Sequence, residues 1–236
     1  MVTSPVRTLK NSIGMEFVLI PAGRSQISHI GPGELGFRIP DHQNIIMKSF
    51  YLGKYPVTQE QWEAVMGDHP SCFDGDGRPV ECISWNEVQN FIKELNSMEE
   101  TDKYSLPAEN EWEYACKAGT GTRYSFGDSE AELDKYSWYY GNSEHMTHPV
   151  GQKEPNPWGL YDMHGNVWEW CKDKHHWSYE EALEEGTAWE LAGNKAIVLR
   201  GGSWVNDPEK CYSISRSNFN SDYGTYSVGF RLLRSL

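Results

Sequence analysis

Two short motifs rich in Gly and Arg, both near the C-terminus, enclose a polar and aromatic segment. The first motif, VLRGGSW, begins at Val198, and the second, VGFRLLR, begins at Val228. Residues 205–227 between them are mostly Asn, Ser, Asp, Tyr, Thr and Phe. This composition is typical of binding loops, where Tyr gives rigid contact area and Asn and Ser give adaptable hydrogen bonds. The same residues also dominate ordinary turns, so a plain polar loop is the alternative.

Separate roles are expected for the two motifs and for the segment between them. We predict that residues 200–204 and 229–231 lie on paired central strands with buried side chains. The intervening positions should then share one exposed face, because a binding surface tolerates change only where framework strands hold its backbone. Exposed Tyr212, Phe219, Tyr223 and Tyr226 would mark that face as an interaction site.

The composition favours a loop-rich fold. The 236 residues are enough for one large or two small domains, and 38% hydrophobic and 23% charged residues are normal for a globular chain. Ten Trp, thirteen Tyr and twenty-two Gly are not typical of a helical bundle. They suit a fold in which large aromatic side chains hold irregular segments together. We see no repeat and no linker, and expect a single domain over residues 1–236.

Charge and sequence pattern argue against two classes of partner. A net charge of −13 and a pI near 5.0 argue against nucleic acid, which needs a basic surface. No basic amphipathic stretch or long apolar run indicates direct membrane insertion. The first residues, MVTSPVRTLKNSIG, lack the apolar region of a secretory signal. We expect a cell-surface, secreted or periplasmic mature domain whose leader was removed, with a cytoplasmic location as the alternative.

Local patterns predict three helices and two strands. Thr58 and Ser84 each begin a capping-box pattern, and apolar residues at helical spacing follow Ser84. A third, shorter helix is predicted over residues 107–116, and a further one is suggested at 179–185. Residues 15–21 and 50–57 fit strands. Residues 22–46 are Gly-rich and are expected to be irregular.

The five cysteines do not form the pattern of a disulfide scaffold or a structural zinc site. Their number is odd, and no pair has CxxC spacing. Cys72 and Cys82 flank the turn-rich stretch FDGDGRP and could face each other across a hairpin. Two free thiols are the slightly preferred interpretation at this point.

Six ordered blocks resemble the formylglycine-generating-enzyme, or sulfatase-modifying-factor, family. They are GMEFVLIPAG, KYPVTQEQWEAVMG, RPVECISWNEVQNFIKELN, YSLPAENEWEYACKAGT, PNPWGLYDMHGNVWEW and VLRGGSW with GFRLLR. The resemblance covers about residues 11–234. It implies an α+β, C-type-lectin-like fold with two main helices on small twisted antiparallel sheets and much irregular chain.

The resemblance departs from the catalytic pattern of that family. Active members use two cysteines near an RSxN-like segment, and soft thiolates select copper. Counting back from Arg216 puts Ser213 and Pro208 at those two positions, and Cys211 is a single thiol out of register. We therefore predict no catalytic residues, no copper and no formylglycine formation.

The same resemblance implies a calcium loop. Its ligands would be the Asp162 side chain, the carbonyls of Gly165 and Val167, and the Glu169 side chain, and hard oxygens suit Ca²⁺. The alternative is that both carboxylates only hydrogen-bond the loop backbone. A structural role is expected if calcium binds.

A subset of this family serves as the variable proteins of diversity-generating retroelements, and the C-terminus resembles their frame. Thirteen positions in residues 199–234 correspond to the free places of that frame: Val205, Asn206, Asp207, Tyr212, Ser215, Ser217, Asn218, Phe219, Asn220, Tyr223, Thr225, Tyr226 and Ser227. The resemblance, which is to the Treponema type, implies a non-catalytic protein that binds a protein or glycan ligand. The alternatives are an enzyme-like or accessory member with an altered site, and a structural envelope component.

Overall fold

The computed structural model describes residues 7–27, 42–175 and 195–236. Within them the α-helices are α1 (Gln59–Met66), α2 (Trp85–Met98), α3 (Glu109–Lys117) and the short α4 (Leu133–Tyr136). The strands are β1 (Thr8–Lys10), β2 (Glu16–Ile20), β3 (Gly23–Ile27), β4 (His42–Met47), β5 (Phe50–Gly53), β6 (Tyr104–Ser105), β7 (Trp168–Lys174), β8 (Ala196–Arg200), β9 (Arg216–Asn220), β10 (Val228–Gly229) and β11 (Leu233–Arg234). Short 3₁₀ turns occupy Glu130–Glu132 and Pro208–Cys211.

The strands form three sheets. The five-stranded sheet has the order β1-β2-β5-β11-β6, and the four-stranded sheet has the order β10-β7-β8-β9. β3 pairs with β4 alone. All pairs are antiparallel except β10 with β7, which is parallel and corrects the expectation of purely antiparallel sheets. The fold is thus α+β, with small sheets and long connecting loops.

Local capping signals determine where α1 and α2 begin. Thr58 Oγ1 accepts from the Gln61 backbone N–H at 3.3 Å, and Gln61 Oε1 accepts from the Thr58 N–H at 3.1 Å. Ser84 and Glu87 make the same reciprocal pair at 3.2 and 2.7 Å. Both capping boxes are therefore confirmed, and they satisfy backbone donors that a helix start leaves free.

The apolar face of α2 forms the centre of the larger core. Val88, Phe91, Ile92 and Leu95 are buried there, as their helical spacing predicts. Phe91 stacks on Trp62 of α1 at 5.2 Å and meets Phe230 edge-on at 5.4 Å. Each such buried side chain contributes about 1.5–3 kcal/mol. Phe230 of the second motif, VGFRLLR, thus lies in this core.

Several predicted elements differ from the observed ones. Residues 22–46 contain β3 and all of β4 except Met47, so the expectation of an irregular stretch was wrong there. The predicted strand at 50–57 ends at Gly53. The suggested helix at 179–185 lies outside the described residues. None of the described helices has the length and apolar character needed to span a bilayer.

The two framework motifs do not pair directly. β8 ends at Arg200 and β10 spans Val228–Gly229, and β7 lies between these two strands in the sheet. The prediction of paired strands was therefore wrong, while the burial of residues 200–204 and 229–231 is observed. β7 carries the Trp-Glu-Trp sequence of the GNVWEW block, so three motifs meet in one sheet.

Candidate functional site

Arg200 fixes the polar segment to helix α3. Its side chain is fully buried, and its Nη2 lies 2.5 Å from Glu113 Oε2. The same guanidinium donates to the backbone carbonyls of Ser213 and Ile214, each at 3.0 Å. Because these last contacts are to the backbone, the chain path at 213–214 is held regardless of the side chains there.

Trp204 fixes the two ends of the segment together. Its indole Nε1 donates to the Tyr226 carbonyl at 3.0 Å, and its ring centroid lies 5.6 Å from that of Tyr226. The Trp204 backbone is held by Asn166 and Ser143, at 3.0 and 2.9 Å. The Phe73 ring packs against the indole edge-on at 5.4 Å. Trp204 therefore joins residues 205–207, which follow it in the chain, to Tyr226.

Exposed aromatic and apolar side chains lie on or beside the polar segment. Tyr223 is 64% exposed, Tyr226 is 50% exposed and Val205 is 37% exposed. Tyr140, 55% exposed, joins them because its N–H donates to the Asn206 carbonyl at 3.0 Å. We give the name Trp204 patch to Tyr140, Val205, Asn206, Asp207 and Tyr226, and Tyr223 is exposed on the same segment as Tyr226. A cluster of exposed large side chains is the usual mark of an interaction site.

The thirteen sequence-selected positions are all at least partly exposed. Five are exposed: Val205, Asp207, Asn220, Tyr223 and Tyr226. The other eight are intermediate: Asn206, Tyr212, Ser215, Ser217, Asn218, Phe219, Thr225 and Ser227. The framework around them is buried, which matches the expected division of roles.

The structure does not bring all thirteen to one face. In β9, Asn218 lies opposite Val198 and Phe219 lies opposite Ile197. Val198 and Ile197 belong to different cores, so alternate β9 residues project to opposite sides of the sheet. The single-face prediction was therefore wrong for β9.

Two of the four predicted exposed aromatics are instead partly buried. Phe219 packs against the larger core, with its ring 6.3 Å from that of Trp170. Tyr212 meets Tyr124 edge-on at 5.1 Å, and its hydroxyl donates to Glu130 at 3.1 Å. Tyr223 and Tyr226 are exposed as predicted.

Tyr140 is a member of the patch that sequence reasoning missed. It lies in the aromatic run WYYGN, and its ring contacts the His145 ring at 5.4 Å. The aromatic run was the available signal, but its contact with Asn206 spans 66 positions and could not be inferred locally.

The buried thiols do not resemble an activated pair. Cys211 lies beneath Gly202, where a Cβ would come within 2.9 Å of the sulfur. Burial raises the pKa of Cys211 to about 12 and that of Cys116 to about 12. A reactive cysteine needs a thiolate, and burial among apolar groups disfavours one. Ser213, at one position expected for the catalytic pair, is buried as well.

The predicted calcium loop carries two buried carboxylates. Glu169 accepts from Trp112 Nε1 at 2.6 Å and from Arg231 Nε and Nη2 at 2.7 and 2.6 Å. Asp162 accepts from the Gly151 N–H at 2.8 Å, and burial raises its pKa to about 6. Two carboxylates and one guanidinium leave a net negative charge in a buried place.

Carboxylate and carbonyl oxygens are the donor type that a hard cation prefers. A carboxylate offers about four lone-pair sites, and the contacts above use three of those on Glu169. Asp162 and Gly165 both have positive φ, at +58° and +157°, so the loop is tight, as calcium loops are. A calcium ion bound by Asp162, Glu169 and the carbonyls of Gly165 and Val167 would supply the missing positive charge.

The fold and the site define an α+β, C-type-lectin-like domain with an exposed aromatic patch beside its C-terminal strands. The sulfatase-modifying factor enzyme 1-like domain matches residues 4–236, and the chain belongs to this family. The Chaperone protein LppX of Paenibacillus barcinonensis is 29% identical, with 82% of each chain covered. The solved structure of Treponema denticola variable protein 1 has a TM-score of 0.82 at 29% identity, covering 99% of this chain and 100% of that one.

The family also includes enzymes. The formylglycine-generating enzyme of Streptomyces coelicolor is 30% identical over 74% of this chain. The chain spans 58% of that enzyme's length. The chain is therefore similar to both enzymes and variable proteins. The residues of its own site must distinguish an enzymatic function from a binding function.

Proposed function

We propose that this protein is a non-catalytic ligand-binding protein whose Trp204 patch is the binding surface. The observation that carries the proposal is the exposure of Tyr223 and Tyr226 on a segment with a firmly held backbone. Tyr side chains give large contact area at low entropic cost, which suits recognition of many different ligands. The similarity to Treponema denticola variable protein 1 supports the same function.

The contacts of the segment also support diversification of its side chains. Arg200 holds the carbonyls of Ser213 and Ile214, and Trp204 holds the carbonyl of Tyr226. Backbone contacts persist when side chains change. Substitutions at the exposed positions of the segment would therefore alter the surface while the fold remains, whereas Phe219 and Tyr212 also pack against buried residues.

The ligand class follows from the patch. Aromatic side chains with neighbouring Asn and Asp groups suit a protein or a glycan, and the net charge of −13 disfavours nucleic acid. A protein of this kind has to be exposed to its ligands, so we propose that it lies at the cell surface or outside the cytoplasm. A structural envelope component would share this location, but it would not need an exposed aromatic patch.

The gene provides a direct test of diversification. We expect a near-copy of the sequence encoding residues 199–234 close to the gene, together with a reverse transcriptase gene. Differences between the copies should be confined to adenines in codons of the thirteen positions. Framework codons such as those of Arg200 and Trp204 should be identical. The absence of any near-copy in the sequenced locus would contradict diversification.

Binding itself needs a separate measurement. On a glycan array and in a screen of displayed surface proteins, the double variant Tyr223→Ala/Tyr226→Ala should lose at least tenfold in affinity for any ligand found. Met98→Ala is a matched control, because Met98 is 48% exposed and lies at the end of α2, away from the patch in the sequence. Equal loss in both variants would contradict the patch as the binding surface.

Formylglycine formation is the competing function, because enzymes of that activity are among the relatives. Incubation with a CxPxR-type sulfatase peptide and copper should give no aldehyde in mass spectra. The reason is the buried, protonated state of Cys211 and the lack of a second thiol at Ser213 or Pro208. Copper-dependent aldehyde formation that disappears in Cys211→Ala would overturn the proposal.

A further inference from the structure

Cys72 and Cys82 face each other across the loop that connects α1 to α2. Their sulfurs are 3.0 Å apart, and Cys72 is exposed while Cys82 is partly exposed. Nine residues separate them in the sequence. This is the one cysteine pair in the described part of the chain for which a sulfur–sulfur contact is found.

The backbone on both sides of the pair is already fixed. The carboxylate of Glu81 accepts from the Phe73 N–H at 2.9 Å, and the Glu81 N–H donates to Ser71 Oγ at 3.2 Å. Glu81 is fully buried. These contacts connect residues 71–73 to residues 81–82 without any covalent bond, so the sulfurs are held near each other at little further entropic cost.

We propose that Cys72 and Cys82 form a disulfide that closes residues 72–82 into a covalent loop. The oxidant is a low-molecular-weight disulfide such as oxidised glutathione. The exposed Cys72 thiolate attacks it, forming a mixed disulfide and releasing one glutathione thiolate. The Cys82 thiolate then attacks Cys72 Sγ and releases the second one. The two protons lost by the cysteines are taken up by the two glutathione thiolates, and two electrons pass to glutathione.

A metal site is the competing explanation for the same residues. Cys72 Sγ, Cys82 Sγ and a Glu81 oxygen lie within 4.8 Å of one another. A structural zinc ion needs four ligands, and its tetrahedral geometry places two thiolates about 3.8 Å apart. The observed set has three ligands and a closer sulfur pair.

The covalent loop would brace the Trp204 patch, a consequence that rests on the proposed function. Phe73, next to Cys72, packs edge-on against Trp204 at 5.4 Å. The Cys82 N–H donates to the Thr225 carbonyl at 3.1 Å. Gly224 packs so closely on Cys82 that a Cβ would lie 2.3 Å from the Cys82 carbonyl carbon. Cys82 thus contacts the polar segment directly, and Cys72 lies next to a residue that contacts Trp204.

Thiol counting tests the disulfide without any ligand. Protein equilibrated with oxidised glutathione, then unfolded and alkylated, should show three reactive thiols, against five after reduction. Trypsin does not separate the pair, because Arg78 is followed by Pro79. A protease that cleaves before Asp separates them at Asp74 and Asp76, and the two peptides should stay joined until reduced. Five thiols in the oxidised sample, or stoichiometric zinc in the purified protein, would overturn the proposal.

Hydrogen exchange tests the bracing separately. Reduction should speed exchange of the amides at 223–227 several-fold and lower the unfolding temperature by roughly 5 °C. The Cys72→Ser variant should match the reduced protein whether or not oxidant is present. Exchange in α2 serves as the internal control and should not change. A formed disulfide with unchanged exchange at 223–227 would overturn the bracing role, whatever the outcome of ligand binding.

Discussion

The guanidinium of Arg231 binds both oxygens of the Glu169 carboxylate, and both side chains are completely buried. The Nε–Oε2 distance is 2.7 Å and the Nη2–Oε1 distance is 2.6 Å. The same guanidinium donates to the carbonyls of Gly53 and Tyr161, at 3.0 and 2.9 Å. The second C-terminal motif is thereby connected to the GNVWEW block and to the five-stranded sheet. The framework of the fold depends on this pair.

Replacing one partner of this pair should be strongly destabilising. Arg231→Met leaves the Glu169 carboxylate buried without its counter-ion, and such a change costs about 3–5 kcal/mol. Urea unfolding followed by Trp fluorescence measures the loss. The double variant Arg231→Met/Glu169→Gln should recover part of it, because the amide oxygen still accepts from Trp112 and residue 169 no longer carries a charge.

A surface ion pair provides the control for Arg231→Met. Lys135 and Glu132 form an ion pair in which both side chains are at least half exposed. Lys135→Met should therefore change the unfolding free energy far less than Arg231→Met does. Similar losses of unfolding free energy in Lys135→Met and Arg231→Met would show that burial does not determine the cost of breaking an ion pair.

Trp204 and its tyrosine neighbours should differ sharply in their effect on stability. Trp204 is 8% exposed and Trp168 is 7% exposed, so alanine at either should cost about 3–5 kcal/mol. Alanine at the exposed Tyr223 and Tyr226 should cost about 0.5 kcal/mol or less each. Thermal unfolding of the four single variants measures this. A loss above about 2 kcal/mol at Tyr223 or Tyr226 would show that these side chains maintain the fold.

Helix starts and core faces were predictable because their signals are local. The capping boxes at Thr58 and Ser84 use residues three positions apart, and the buried face of α2 follows from helical spacing. The fold class followed from the resemblance of six motifs to a known family. None of this requires knowledge of distant contacts.

The remaining features depend on contacts between distant parts of the chain. Arg200 meets Glu113, 87 positions earlier, and no local pattern indicates that pairing. The strands β3 and β4 were missed because the Gly-rich stretch shows no clear alternation of polar and apolar residues. The division of β9 between two faces follows from its register with β8, which pattern alone does not give. The sequence therefore predicted which segment forms the candidate site. It did not predict how the residues of that segment are arranged in space.

Calcium should stabilise the protein through Asp162. A bound cation would offset the negative charge shared by Asp162 and Glu169, and saturation a hundredfold above Kd is worth about 2.7 kcal/mol. Millimolar Ca²⁺ should therefore raise the unfolding temperature by several degrees relative to chelator, and Mg²⁺ should do less. Asp162→Ala should abolish the shift, while Asp102→Ala, at an exposed position, should keep it. No shift in the unaltered protein would contradict the calcium site.

His164 should make stability fall in mild acid. The Ser125 N–H donates to His164 Nε2 at 3.1 Å, so the proton of the neutral ring lies on Nδ1, which donates to the Cys211 carbonyl at 2.9 Å. A second proton would have to sit on Nε2, facing the Ser125 donor. Burial lowers the pKa of His164 from its ordinary value to about 4. Its contribution to stability is therefore present above pH ~6.5 and lost as the pH falls towards 4, by roughly 3 kcal/mol.

The comparison with His164→Gln isolates this contribution from other titrating groups. Glutamine cannot take up a proton, so the variant should be less stable than the unaltered protein at pH 7, and the gap should shrink by roughly 2–3 kcal/mol at pH 4.5. The raised pKa of Asp162 acts in the opposite direction, since its contribution is lost as the pH rises towards 6. It is present in both proteins and cancels in the difference. Urea unfolding at several pH values, with chelator throughout, measures the gap. A constant gap from pH 7 to 4.5 would show that His164 does not titrate in the folded state as its buried contacts require.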